Sequence, residues 1–127
     1  MRTDLAKQAS ITLETKRYIW REQIRPLITD ELIEEHRRNP IGVHSAALDA
    51  VLYFLRGDPL VHLPRLLVII VTPAKEWAIG EHGRQKGVPV FVRPEIYTSI
   101  PEIEHAIFLE RLRLDRKSTR LNSSHVK

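Results

Sequence analysis

Glutamate and histidine side chains provide the spacing in this sequence that comes nearest to metal chemistry. Glu102 and His105 are three positions apart, which places a carboxylate and an imidazole on one face of a helix. Di-iron helical bundles use this spacing, but they need two such motifs and further carboxylates. The pairs Glu35-His36 and Glu81-His82 are adjacent in sequence, so their side chains diverge. We therefore expect no metal site in this chain, and we interpret His36 as a solvated or hydrogen-bonded residue near a helix end.

Residues for nucleophilic or phosphate chemistry are also missing from the sequence patterns. Cysteine is absent, which excludes a thiol nucleophile, disulfide bonds and cysteine-based metal sites. No G-x-S-x-G motif occurs, and Ser45 and Ser99 are better placed as helix caps. Gly80, Gly83 and Gly87 follow a predicted helix and do not open one, so they do not indicate a phosphate-binding loop. The sequence predicts no catalytic residue and no cofactor bound by this chain.

Helical apolar spacing is predicted over much of the first half of the chain. A first helix is indicated by three residues that share one face, Leu13, Trp20 and Ile24. Pro26 ends this helix because proline lacks the backbone N–H that the next turn needs. Thr29 caps a second helix, which ends at Asn39-Pro40. Ser45 caps a third helix with a continuous apolar stripe, Leu48, Val51, Leu52 and Leu55.

The second half of the chain is predicted to alternate between strands and helices. Residues 66–71 are uniformly aliphatic, as expected for a strand covered on both faces. Thr72-Pro73 then favours a helix that carries Trp77, Ala78 and Ile79. A short edge strand, 88–92, follows, and a capping box at Ser99–Glu102 opens a last helix that reaches Leu114.

These elements predict an α+β fold in one mainly helical domain of residues 1–114. Three helices precede a β-α-β-α unit, whose two strands form a small sheet with a right-handed crossover. Helices must cover a sheet of only two strands. The predicted class is that of a small globular domain.

Residues 115–127 have a composition unlike the rest of the chain. They carry four cations and one acid, namely Arg116, Lys117, Arg120, Lys127 and Asp115, so most of the net charge of +4 lies there. Residues 115–125 resemble, without a gap, the translation of the start of a common short-read sequencing adapter. We therefore expect residues 115–127 to be a disordered artefact and the native C-terminus beyond Leu114 to be missing.

Charge and hydropathy limit the classes of partner. Without residues 115–127 the chain is nearly neutral, so nucleic-acid binding is not indicated. The longest apolar run is too short to span a bilayer, and no export signal is recognisable. We expect a cytoplasmic protein that binds neither nucleic acid nor membrane.

The last predicted helix has apolar residues on two faces. One face carries Ile103 and Ile107, and the opposite face carries Phe108 and Leu112 beside His105. Two apolar faces need two neighbours, one of which could be another protein. Tyr18 and Trp20 add aromatic residues of the kind that anchor interfaces. We predict a partner interface at four residues, Tyr18, Trp20, Phe108 and Leu112.

Several stretches, taken in their order and spacing, resemble the small (alpha) subunit of N,N-dimethylformamidase. The resemblance runs from about Thr29 to Leu112, and these stretches carry it: EEHRRNPIG at 34–42, Tyr53-Phe54, Pro59, Glu76-Trp77 and HAIFL at 105–109. The resemblance implies a non-catalytic subunit that pairs with a large subunit. In that family the large subunit holds a mononuclear iron, and the enzyme hydrolyses N,N-dimethylformamide to dimethylamine and formate.

The function expected from the resemblance is therefore that of an accessory subunit in a hetero-oligomeric amide hydrolase. Two alternatives of other classes remain open from the residues. One is a free-standing protein-binding module, and the other is a small metal-dependent enzyme that uses Glu102 and His105.

Overall fold

A computed structural model describes residues 12–57, 63–83 and 86–125, with side chains described as far as Lys117. The chain divides into two compact units, a boundary that the sequence does not predict. Unit 1 comprises Met1–Arg38 and Gly42–Val61, and unit 2 comprises Asn39–Ile41 and His62–Lys127. Among the described helices, none combines the length and apolar character that crossing a bilayer requires.

Unit 1 is helical. Its segments are α1 (residues 12–19), a π-helical turn (Trp20–Ile24), a 3-10 turn (Arg25–Leu27), α2 (Asp30–Arg38) and α3 (Ala46–Leu55). The wide turn after α1 closes where the Arg25 N–H donates to the Trp20 carbonyl. The backbone becomes extended at Ile28, directly after the turn that contains Pro26. The predicted end of the first helix at Pro26 is confirmed to within a residue.

Both predicted caps in unit 1 are confirmed. The Thr29 hydroxyl oxygen accepts a hydrogen bond from the Leu32 N–H at 3.2 Å, which satisfies a donor at the start of α2. The Ser45 hydroxyl oxygen does the same for the Leu48 N–H at 3.3 Å. Between the two helices the chain turns at Gly42, whose φ of 119° is a conformation that residues with a Cβ rarely adopt.

The core of unit 1 is built from the π-helical turn and from one face each of α2 and α3. Its buried side chains are Trp20, Leu32, Leu48, Val51, Leu52 and Leu55. The predicted apolar stripe of α3 is thus confirmed in full. The Trp20 ring stacks on the Phe54 ring with 6.3 Å between centroids. Burial of each large side chain contributes roughly 1.5–3 kcal/mol, which fixes the helices against one another.

Unit 2 combines a three-stranded antiparallel sheet with one long helix. Its elements are β1 (Arg65–Thr72), β2 (Glu76–His82), β3 (Phe91–Val92) and α4 (Ile100–His125), and the strand order is β1-β2-β3. The α+β class is confirmed, with three antiparallel strands where two strands and a crossover were expected. The predicted strand at 88–92 is present only as Phe91–Val92.

The helix predicted after Pro73 is wrong, because this segment forms β2. The Lys75 N–H donates to the Thr72 carbonyl at 3.0 Å and closes a tight turn, in which Ala74 has a φ of 62°. Proline and a residue with positive φ at the two central positions are typical of a type II turn. The chain therefore reverses at Thr72 and pairs β2 with β1 in a hairpin.

The register of the hairpin decides which side chains meet α4. Val68 pairs with Ile79 and Ile70 with Trp77, with a bulge between Ile70 and Thr72. The expectation that β1 is covered on both faces is wrong at its turn end, where Ile70 is 64% and Val71 47% exposed. Coverage is thus limited to the part of β1 that lies nearer Arg65.

Helix α4 packs on the sheet through a small apolar cluster, Leu66, Ile79, Ile103 and Ile107. Its predicted start is confirmed, since the Ser99 hydroxyl oxygen accepts from the Glu102 N–H at 3.3 Å. The helix does not end at Leu114 but continues to His125, so disorder of this segment is not observed up to that residue. Asp115 is 3% exposed. The adapter origin of residues 115–127 stays a prediction.

Candidate functional site

Three of the four residues predicted as a partner interface have buried side chains. Tyr18 is 54% exposed, whereas Trp20, Phe108 and Leu112 are each at most 2% exposed. The expectation that these three offer a surface to a partner is corrected, because the chain itself buries them. Tyr18 stays a candidate contact residue, with the Arg21 guanidinium 5.9 Å from the centre of its ring.

Glu102 and His105 occupy the first turns of α4, as their spacing predicts. Glu102 is exposed and His105 is half-buried, with its ring centroid 6.2 Å from that of Phe108. Within residues 12–57, 63–83 and 86–125, no three histidine, aspartate or glutamate side chains converge as metal ligands would. The described residues therefore give this pair no further ligand.

A polar cluster, here the α2–α3 junction, joins the end of α2 to the start of α3 through Glu35, His36, His44 and Ser45. One carboxylate oxygen of Glu35 accepts the Ser45 N–H, and the other accepts the Ser45 hydroxyl, each at 2.7 Å. The backbone hydrogen bond from Ser45, followed by the one from its hydroxyl, lowers the pKa of Glu35 below its ordinary value. The junction thus stabilises the charged form of Glu35 at neutral pH.

Two imidazoles complete the α2–α3 junction. The rings of His36 and His44 stack with centroids 6.0 Å apart and an angle of 19° between their planes. His36 is only 1% exposed, so of its two interpretations, solvated or hydrogen-bonded, the solvated one is wrong. The His44 Nδ1 lies 3.6 Å from the Asp49 carboxylate. Sequence offered one signal for this burial, since His36 follows the buried Leu32 by four positions and shares its helix face.

A second polar cluster, here the Arg93 cluster, links the segment after β3 to β2 and α4 in unit 2. The Arg93 guanidinium donates to Glu81 on β2, with Nε at 2.7 Å, and to Glu110 on α4 at 2.8 Å. Arg113 also binds Glu110, from a more exposed position. Burial raises the pKa of Glu110, but the hydrogen bonds from Arg93 and Arg113 outweigh it, so the pKa lies below its ordinary value. The cluster therefore connects β2 to α4 through half-buried ion pairs.

Comparison with known proteins assigns the family. Residues 11–121 match a family model described as the N,N-dimethylformamidase alpha subunit. The chain belongs to the N,N-dimethylformamidase alpha subunit family. No curated protein matches it. The match confirms the resemblance carried by the sequence stretches and extends beyond both Thr29 and Leu112.

In this member of the N,N-dimethylformamidase alpha subunit family, the stretches behind the resemblance have structural roles. The EEHRRNPIG stretch forms the end of α2, supplies Glu35 and His36 to the α2–α3 junction, and turns at Gly42. Trp77 contributes to the apolar cluster under α4. Phe54 supports Trp20, while the neighbouring Tyr53 is 72% exposed. Most of the described residues among them therefore position elements, and Pro59 lies outside the described residues.

Exposed apolar side chains mark the surface of this alpha-subunit family member that could bind another protein. In unit 2 most of them lie at the edges of the sheet, while Leu109 is on α4 and Ile41 precedes the sheet in sequence. The β1 edge carries Ile70 and Val71, and the β3 edge with its flanks carries Val88, Val90, Phe91, Val92 and Ile96. Clustered exposed apolar side chains often mark a protein-binding region.

Proposed function

We propose that this chain is the small, non-catalytic subunit of a hetero-oligomeric amide hydrolase. The proposed reaction adds water across the C–N bond of N,N-dimethylformamide and gives formate and dimethylamine. The observation that carries this proposal is the match of residues 11–121 to the alpha subunit family, because an alpha subunit has at least one other subunit as its partner. We further propose that the complex works in the cytoplasm.

The proposed partner is a large subunit that binds iron and carries out the hydrolysis. Exposed apolar residues at the sheet edges support a role in assembly, since burial of such side chains in an interface is favourable by about 25 cal/mol per Å² of apolar surface. The clusters found in this chain tie helices and strands together. We propose that this chain helps the large subunit to fold and stabilises it in the complex.

Co-expression of the full chain with the large subunit tests this proposal. The expected result is a complex that stays together through affinity and size-exclusion steps and releases dimethylamine from dimethylformamide. The large subunit expressed alone should be insoluble or much less active. A large subunit that is equally soluble and active without this chain would contradict the proposal.

The metal-dependent alternative predicts a different result for the isolated chain. Stoichiometric iron or zinc in the purified chain, lost on His105→Ala, would favour an enzyme that uses Glu102 and His105. The subunit proposal predicts that wild type and His105→Ala have the same metal content. It also predicts that all of the iron in the complex is bound by the partner.

A further inference from the structure

The outer edge of β1 carries backbone groups that point away from the sheet. Trp77 exchanges both backbone hydrogen bonds with Tyr97, and the Ile79 carbonyl accepts from the Arg93 N–H at 2.8 Å, so both face the β3 side. Backbone groups alternate along a strand, so Ala78 and Gly80 bond to β1. Their partners are Ile69 and Leu67. The N–H and C=O groups of Val68 and Ile70 consequently point outward.

The two edges of the sheet differ in their capacity to pair with another strand. In the described part of the chain, β1 is eight residues long and pairs only with β2. The β3 edge is two residues long and lies between Pro89 and Pro94, which have no N–H to donate. At the start of β1, Arg111 approaches the Leu66 carbonyl at 3.5 Å. The section suited to strand addition is therefore Val68–Ile70, beside the exposed Ile70 and Val71.

We propose that this edge of β1 binds an extended segment of the large subunit by strand addition. The segment has an aliphatic centre, which packs on Ile70 and Val71, and acidic residues at its ends. Main-chain hydrogen bonds supply affinity in this mode, and alternate side chains supply specificity. This inference rests on the proposed function, because it names the surface through which the subunit binds its partner.

The charges around β1 favour acidic ends on the partner over a second copy of this chain. Arg65 and Arg111 lie at the start of the strand, and the exposed Lys75 follows its end. Of the acids on β2, Glu76 accepts the Thr72 hydroxyl at 2.7 Å, and Glu81 binds Arg93. Antiparallel self-pairing would bring Lys75 of one copy towards Arg65 of the other, and parallel self-pairing would bring the two Arg65 residues together. Like charges in facing positions are unfavourable, whereas acids would complement these cations.

Two substitutions at equally exposed positions test the proposal in the full chain co-expressed with the large subunit. Ile70 on the β1 edge is 64% exposed, and Phe91 on the β3 edge is 63% exposed. Ile70→Lys places a charge in the proposed interface and should weaken binding at least about tenfold. Phe91→Lys, its matched control, should change the Kd by less than about twofold. Circular dichroism checks that both variants fold.

A second variant addresses the backbone directly. Val68→Pro removes an outward N–H that the β1–β2 ladder does not use, and proline is tolerated at such edge positions, so it should weaken binding. Because the Val68 side chain also packs on the cluster under α4, circular dichroism and Val68→Ala, which keeps the N–H, control for lost packing. Lys75→Glu, made on its own, should also weaken binding to the large subunit and reduce the salt dependence of that binding. Wild-type affinity in both Ile70→Lys and Val68→Pro, or an equal loss in Phe91→Lys, would overturn the edge proposal while leaving the subunit function intact.

Two other outcomes also decide against the inference. A homodimer of the chain alone that Ile70→Lys dissociates would show that a second copy occupies the edge. Failure of the wild-type chain to bind the large subunit would instead refute the proposed function itself. This result is seen with the wild type, before any variant is made, so the two failures are distinguishable.

Discussion

The Glu35 carboxylate binds Ser45 twice, through the backbone N–H and through the hydroxyl, at 2.7 Å each. Ser45 in turn accepts from the Leu48 N–H as the cap of α3. One side chain on α2 thereby fixes the residue that starts α3. The helix pair is oriented by this chain of hydrogen bonds as well as by its apolar core, which makes Glu35 a test of the junction.

Glu35→Gln should lower the stability of unit 1 at pH 7, because the amide replaces a charged acceptor and its NH₂ group cannot accept from Ser45. The folded-state pKa of Glu35 is depressed, so this stabilisation is present above the ordinary value of 4.5 and is lost as the pH falls through the lower folded pKa. Urea unfolding at pH 7 and in acid measures it. The difference from wild type should narrow in acid. Glu31→Gln, at an exposed position of the same helix, is the control, and an equal effect there would contradict the role of the junction.

Arg93→Met should destabilise unit 2 by about 2 kcal/mol, because it leaves the Glu81 and Glu110 carboxylates near each other without their shared cation. Arg113→Met removes a cation from the same Glu110, but the Arg113 side chain is 58% exposed against 18% for Arg93. The control should cost at most about 1 kcal/mol. Denaturant unfolding at neutral pH gives both values, and equal losses would show that burial does not strengthen the Arg93 cluster.

The pKa of Glu110 gives the Arg93 cluster its own pH dependence. Because hydrogen bonds from Arg93 and Arg113 hold this pKa below 4.5, the cluster stabilises the fold above that pH and loses its effect as the pH falls through the lower folded value. The wild-type advantage over Arg93→Met should therefore shrink in acid. An advantage that stays constant from pH 7 into acid would show that packing, and not charge, is responsible.

Local signals in the sequence were sufficient wherever a helix begins beside a side chain that can cap it. Thr29, Ser45 and Ser99 each accept the expected N–H, because capping depends on residues within one turn. The apolar stripe of α3 was equally predictable, because the apolar residues of this helix share one face and that face packs on the core of unit 1. These features made the helices of unit 1 and the start of α4 predictable.

The sheet was harder to predict because its decisive contacts are not local. In residues 76–82, Trp77 and Ile79 alternate with Ala78 and Gly80, which is a strand pattern. The segment forms a strand, however, because it pairs with β1, and that pairing is not local in sequence. The turn depends on Ala74 at positive φ, for which alanine gives no signal. Phe108 and Leu112 are buried, but their apolar character in the sequence could equally indicate a partner.

Gly80→Ala should destabilise the sheet by about 1–3 kcal/mol. A Cβ at Gly80 would lie 2.8 Å from Ile69 Cγ1 and 2.8 Å from Val90 Cγ1, so the side chains of Ile69 and Val90 would have to shift. Gly83 is the matched control, because a Cβ there meets nothing within 4 Å. Gly83→Ala should be neutral or stabilising by up to about 1 kcal/mol. Thermal or denaturant unfolding of both variants decides whether space at Gly80, and not glycine flexibility, is the requirement.

Tyr18 and Trp20 should respond in opposite ways to truncation, although both were predicted to form one interface. Trp20 is 2% exposed and stacks on Phe54, so Trp20→Ala should cost about 3–5 kcal/mol of stability. Tyr18 is 54% exposed, so Tyr18→Ala should cost less than about 0.5 kcal/mol. If Tyr18 contacts the large subunit, its variant should weaken co-purification while unfolding like wild type. If Tyr18→Ala has wild-type stability and wild-type binding, Tyr18 is not in the interface. The β1 edge would then have to account for binding of the large subunit.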